Sequence, residues 1–135
     1  MRLDERMIGD LFLKASGGRG KIDERIEGDV VIVAVTGDLT VNSGVDEALR
    51  SRMHGAVRQG HRKLLVDLGG VPYIDSSGVG VLVQAYAATK NIGGSLKLLR
   101  PTKHLRDLFA LTKLNAVLDS YEDEAAALES FVTPG

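Results

Sequence analysis

The sequence predicts an α/β fold, a single domain in which a mixed β-sheet carries helices, and three observations lead there. Strand-like apolar runs alternate along the chain with segments of helical period, an order that belongs to α/β folds with a largely parallel or mixed sheet. The run Val30-Val31-Ile32-Val33-Ala34-Val35 is apolar and β-branched, as in a buried strand. At 135 residues without cysteine, the chain is long enough to bury a core without disulfide staples.

The elements follow in order. Lys21 to Ile26 forms a short strand, Glu27-Gly28-Asp29 a turn, and Val30 to Val35 the second strand of a hairpin. Gly37-Asp38-Leu39-Thr40 leads out of it. A helix starts near Asn42 or Ser43 and reaches about Gln59, with Val45, Leu49, Met53 and Val57 along one face and Gly60 as its stop. Lys63 to Leu68 is the next strand, closed by Gly69-Gly70. After Asp75-Ser76-Ser77-Gly78, the spacing of Val79, Leu82, Val83 and Tyr86 predicts a helix laid on the sheet by that face. Gly93-Gly94 stops it. Ser95 to Leu99 is a strand, and Pro101-Thr102 opens a helix through about Leu111, since proline suits a helix start. Asn115 to Tyr121 holds a short last strand. Glu122 to Phe131 is a terminal helix whose first-turn acids suit the helix dipole.

Residues 1–20 stand apart as an N-terminal extension. Gly17-Gly18-Arg19-Gly20 has the composition of a flexible linker. Before it, Leu3 to Leu13 echoes Ile22 to Ile32, with Asp, Glu, Arg, Gly and Asp recurring in register. Two readings stand: a duplicated hairpin that adds strand to the sheet or swaps between protomers, or a mobile extension, as termini commonly are.

Composition narrows the function classes. With 17 basic and 18 acidic residues the net charge is -1, which gives no drive toward nucleic acid or anionic membrane. Aromatic residues are 4% with no Trp, too few for stacking on bases. No apolar run approaches a membrane span, and Met1 to Arg6 lacks a signal-peptide layout. A cytoplasmic protein without membrane insertion is expected.

Enzyme chemistry finds little footing. Gly17-Gly18-Arg19-Gly20-Lys21 lacks the spacing and the hydroxyl of a phosphate loop. Ser76 and Ser77 lie outside any Gly-x-Ser-x-Gly elbow, and a hydrolase built on either would lack a base. His54 lies mid-helix, His61 beside a loop glycine and His104 in the first turn of a helix; none pairs at metal-ligand spacing. Asp67 reads as a strand residue and Asp75 as a helix cap. No catalytic residue, metal or cofactor is expected.

One segment carries more. In Tyr73-Ile74-Asp75-Ser76-Ser77-Gly78-Val79-Gly80 an acid and two hydroxyls open a helix. Asp and Ser are favoured caps because their oxygens accept from the first free N–H groups. A hydroxyl there also sits in the positive end of the helix dipole, where a phosphate is tolerated. An ordinary cap and a serine built for phosphorylation both satisfy these residues.

The hairpin, Gly37-Asp38-Leu39-Thr40, Val66-Asp67-Leu68, the Asp75 segment, Gly93 to Leu98 and Leu111-Thr112-Lys113-Leu114 together resemble a STAS domain of the bacterial anti-sigma factor antagonist family, over about residues 21–133. The resemblance implies partner switching. The unphosphorylated protein would bind an anti-sigma factor that is also a serine kinase, that kinase would phosphorylate Ser76, and a serine phosphatase would reset it. Partner contacts would centre on Asp75, Ser76, Ser77 and Gly78, with Gly37, Asp38, Leu39 and Thr40 nearby. Ser77 would cap the helix or bond locally. Thr40 stands where members commonly carry Asp, and its hydroxyl can bond locally instead. The alternative is a STAS scaffold subunit of a larger stress-sensing or transport-regulating assembly.

Overall fold

A computed structural model describes residues 20–132. Its elements are β1 (Lys21–Glu27), β2 (Val30–Thr36), α1 (Val45–Arg58), β3 (Lys63–Gly70), α2 (Ser76–Asn91), β4 (Ser95–Leu99), α3 (Lys103–Leu111), a 3₁₀ turn (Leu114–Ala116), β5 (Ser120–Tyr121) and α4 (Glu124–Val132). The sheet runs β1-β2-β3-β4-β5. β1 is antiparallel to β2, and the remaining neighbours pair in parallel. Hairpin register is set by a two-residue loop, Gly28-Asp29, with Gly28 at φ 62°.

Period-two alternation sorts the sheet's side chains onto two faces. Val31, Val33 and Val35 of β2, Leu64, Val66 and Leu68 of β3, and Leu96 and Leu98 of β4 join the main core with Leu49 and Met53 of α1, Val81 and Leu82 of α2, and Leu105 and Phe109 of α3. On the other face Val30, Ile32, Leu65 and Leu99 pack with Ala127 of α4. The expected order of strands and helices is therefore the observed one, with three helices on one face and the last on the other.

Four details differ from the sequence reading. Gly69 and Gly70 belong to β3, where Gly70 pairs with Thr36 beyond an irregularity in β2. A Cβ there would lie 3.1 Å from the Val35 carbonyl, a tight contact. The stretch from Asn115 to Tyr121 contributes only Ser120 and Tyr121 as strand. In α2 the buried positions are Gly78, Val81, Leu82, Ala85 and Thr89, so Val83 is turned to solvent and Val79 and Tyr86 lie at the margin. Finally, α4 begins at Glu124 because Asp123 caps it, accepting from the Ala126 N–H at 3.0 Å.

Residues 1–19, which hold the echo and most of the expected linker, lie outside the described residues. Gly20 is a packing contact: a Cβ on it would overlap Val45 Cγ2 at the start of α1.

Candidate functional site

The chain leaves β2 and β3 at the same end of the sheet, where open α/β sheets place their sites. The two exits run side by side. The Gly37 N–H donates to the Gly70 carbonyl at 2.9 Å, the Leu39 N–H to Tyr73 at 3.0 Å, and the Asp75 N–H to Leu39 at 3.3 Å. Leu39 and Ile74 form a parallel bridge, and both side chains are buried. The segment before α2 is thus an extension of the sheet rather than a free loop.

Asp75 locks this arrangement. Its backbone is extended (φ -104°), as a cap requires, and Oδ1 accepts from the Gly78 N–H at 3.0 Å. Oδ2 accepts from the Val41 N–H, also at 3.0 Å, across 34 residues of sequence. These N–H groups, Gly78 foremost and then Val41, hold the Asp75 carboxyl below the usual carboxylate range. The expectation that Asp75 caps is met, and the same carboxylate also ties the two exits together.

The two serines differ in surroundings. Ser76, the first residue of α2, is exposed, and its hydroxyl makes no hydrogen bond among the described residues. Ser77 is half-buried, and its Oγ donates to Asp46 Oδ2 at 2.5 Å. Ser77 therefore neither caps α2 nor bonds locally. It joins the first turn of α2 to the first turn of α1, because Asp46 is the second residue of that helix and only 5% exposed. Two helix N-termini converge on this carboxylate, a favourable field for a negative charge.

The remaining expected contacts divide. Leu39 is fully buried and Gly78 is buried, so neither can face a partner directly. A Cβ at position 78 would run into the Leu39 carbonyl and lie 2.7 Å from Ile74 Cγ1, so the glycine serves close packing beneath the turn. Gly80, by contrast, has open space where a side chain would stand. Asp38 is exposed, while Gly37 is half-buried at φ 97°. Thr40 bonds locally, its Oγ1 accepting from the Ser43 N–H at 3.3 Å. Ser43 in turn donates to the Asp38 carbonyl at 2.7 Å and accepts from the Val45 N–H at 3.1 Å. These bonds hold the loop in which Gly44, left-handed at φ 76°, starts α1.

Three residues of the site escaped the sequence reading. Val41 (62% exposed) and Tyr73 (50%) place apolar surface beside the turn, and Tyr73 stacks on His104 with ring centroids 5.2 Å apart. Asp46 is the third. Its signal was present: it stands three residues before Leu49 and seven before Met53, an acid on the buried stripe of α1. Asp67 joins no carboxylate pair with Asp75. It bonds Arg100 at 2.7 Å and the Gly69 N–H at 2.9 Å. No group of metal-ligating side chains occurs among the described residues, and no helix there is long and apolar enough to cross a membrane.

Comparison with known proteins bears on this geometry. The STAS domain family model matches residues 21–127. The anti-sigma-B factor antagonist of Bacillus subtilis is 33% identical over 98 residues, covering 73% of this chain and 87% of that one. Among solved structures, an anti-sigma factor antagonist from Mycobacterium paratuberculosis superposes with a TM-score of 0.77 at 20% identity, over 86% of this chain and 97% of that one. The Bacillus cell fate determinant SpoIIAA in its phosphorylated form does so with a TM-score of 0.64 at 20% identity, over 82% and 97%. Proteins of this kind regulate rather than catalyse. The chain belongs to the STAS domain family, within its anti-sigma factor antagonists.

Proposed function

We propose that this chain works as a phosphorylation-controlled antagonist in a partner-switching circuit, with Ser76 as the phosphoacceptor. Unphosphorylated, it binds an anti-sigma factor that is a serine kinase. Phosphorylation of Ser76 releases that partner, and a serine phosphatase restores the binding form. The circuit operates in the cytoplasm without nucleic acid or membrane contact by this chain.

The observation that carries the reading is the contrast at the turn: Ser76 is exposed and unengaged, on a backbone held by the two hydrogen bonds of Asp75. A phosphate there adds about -1.5 to -2 charges, next to Asp75 and at a helix N-terminus that tolerates them. The fold need not change. A partner seated on Val41, Tyr73 and the open backbone at Gly80 meets a dianion in place of a hydroxyl. Loss of about 3 kcal/mol of binding would weaken the complex more than a hundredfold.

The test is calorimetry against the cognate kinase with ADP present. Ser76→Ala should keep wild-type affinity and take up no phosphate, while Ser76→Asp should lose affinity by a hundredfold or more. Equal affinities would remove the charge switch and favour a scaffold role.

A further inference from the structure

Ser76 and Ser77 are adjacent hydroxyls in one turn, and a kinase that takes one must refuse the other. We propose that Asp46 makes this choice: it is a specificity-determining residue that withholds Ser77 and leaves Ser76 the sole acceptor. The inference rests on the reading of Ser76 as phosphoacceptor and adds to it a residue 30 positions away on another helix.

Transfer to Ser77 would need its Oγ to attack the γ-phosphorus of ATP. The new O–P bond would form as the β–γ bridge breaks, ADP would leave, and the hydroxyl proton would pass to a base on the kinase. Three features oppose this. The Ser77 proton is already given to Asp46 Oδ2 at 2.5 Å, which turns the oxygen toward α1 and away from solvent. Swinging it outward would strip the 5%-exposed Asp46 carboxylate of its side-chain partner, a costly state for a buried charge. The product would set a phosphate dianion against that carboxylate. Ser76 meets none of these obstacles, since successive residues on a helix point about 100° apart. If the Asp46–Ser77 bond were only a tie between helices, removing it would change stability but leave the site of phosphorylation untouched.

Phosphopeptide mapping on full-length protein recovered from its own cells decides. Wild type should carry phosphate on Ser76 alone, and Ser76→Ala should carry none. The double variant Ser76→Ala/Asp46→Ala should carry at least tenfold more phosphate on Ser77 than Ser76→Ala does. Folded double variant without that gain would overturn the assignment, as would Ser76→Ala phosphorylated on Ser77. Wild type without phosphate on Ser76 would instead sink the switch reading itself. A second measurement needs no kinase. Ser77→Asp should melt about 10 °C below wild type, and Ser76→Asp within a few degrees of it. The isosteric Asp46→Asn, combined with Ser77→Asp, should recover most of that loss. Equal melting of the two single variants, or no recovery, would show that Asp46 does not exclude negative charge from position 77.

Discussion

The two ends of the parallel sheet are closed by different means. At the end away from Ser76, α1 and α2 each finish on a left-handed glycine, Gly60 at φ 87° and Gly93 at φ 77°. The bonds that close these two helices are backbone: His61 N–H to Ala56 at 3.1 Å and Gly60 N–H to Val57 at 3.0 Å, then Gly94 N–H to Thr89 at 2.8 Å and Gly93 N–H to Lys90 at 2.9 Å; one side-chain pair, Lys63 Nζ to Asp29 Oδ2 at 2.6 Å, joins β3 to the hairpin turn. At the Ser76 end, side chains add to the backbone bonds between the two exits: Asp75 to Val41, Ser77 to Asp46, Thr40 with Ser43, and Thr102 Oγ1 to the Val71 carbonyl at 3.0 Å. Backbone closure depends on conformation alone. Side-chain closure depends on hydroxyls and carboxylates, whose chemistry a kinase, a proton or a single substitution can change. The proposed switch lies at the end where side chains take part.

Substitutions can break this comparison, and the largest effect is expected at Gly78. Gly78→Ala would force a Cβ into the Leu39 carbonyl and against Ile74, costing about 3 kcal/mol by urea denaturation. A loss under about 1 kcal/mol would show that the turn gives way easily. Asp75→Asn comes next, at about 1–2 kcal/mol, since it weakens a cap and a cross-link together. Because folding lowers the Asp75 carboxyl, its contribution is present above the unfolded carboxylate range of about pH 4 and is lost as pH falls through the lower folded value. Melting curves from pH 6 to pH 2 should therefore fall more steeply for wild type than for Asp75→Asn.

The backbone-closed end offers the control. Gly60→Ala has room for its methyl group but must hold a left-handed φ, at a cost of about 1 kcal/mol. Phosphate uptake at Ser76 should stay at the wild-type level, and a changed level would mean that the ends are coupled. The smallest effect is Gly80→Ala, a gain of about 0.5–1 kcal/mol from replacing a helical glycine. If a partner sits over that backbone, affinity measured by calorimetry should fall while stability rises.

The elements that were legible in the sequence are those announced by local residue type. The β-branched run of β2, the capping chemistry of Asp75 and the stops at Gly60 and Gly93 each state their role locally. The errors fall where glycine or polar residues do work that hydrophobicity does not register. Gly69 and Gly70 read as a turn, yet β3 continues through them past the irregularity in β2. The buried face of α2 includes Gly78, Ala85 and Thr89, so the larger Val79, Val83 and Tyr86 drew the expected face to one side. Thr89 is accommodated because its Oγ1 donates to the Ala85 carbonyl at 2.6 Å. Within the site, the Asp75 cap could be read from one short segment. The link from Ser77 to Asp46 could not, because it depends on how two helices pack.

The outer strand of the hairpin bears on how copies of this chain meet one another. β1 spans seven residues at the edge of the sheet, and none of the described residues pairs with its far side. A long free edge invites strand-on-strand polymerisation. Here Lys21, Asp23, Glu24, Arg25 and Glu27 line it with charges of both signs, and Arg25 is drawn to Glu124 of α4 while Arg52 of α1 reaches Glu24 at 3.4 Å. An incoming apolar strand would have to desolvate those charges. This charged border disfavours the joining of one copy's edge to another's as fibres.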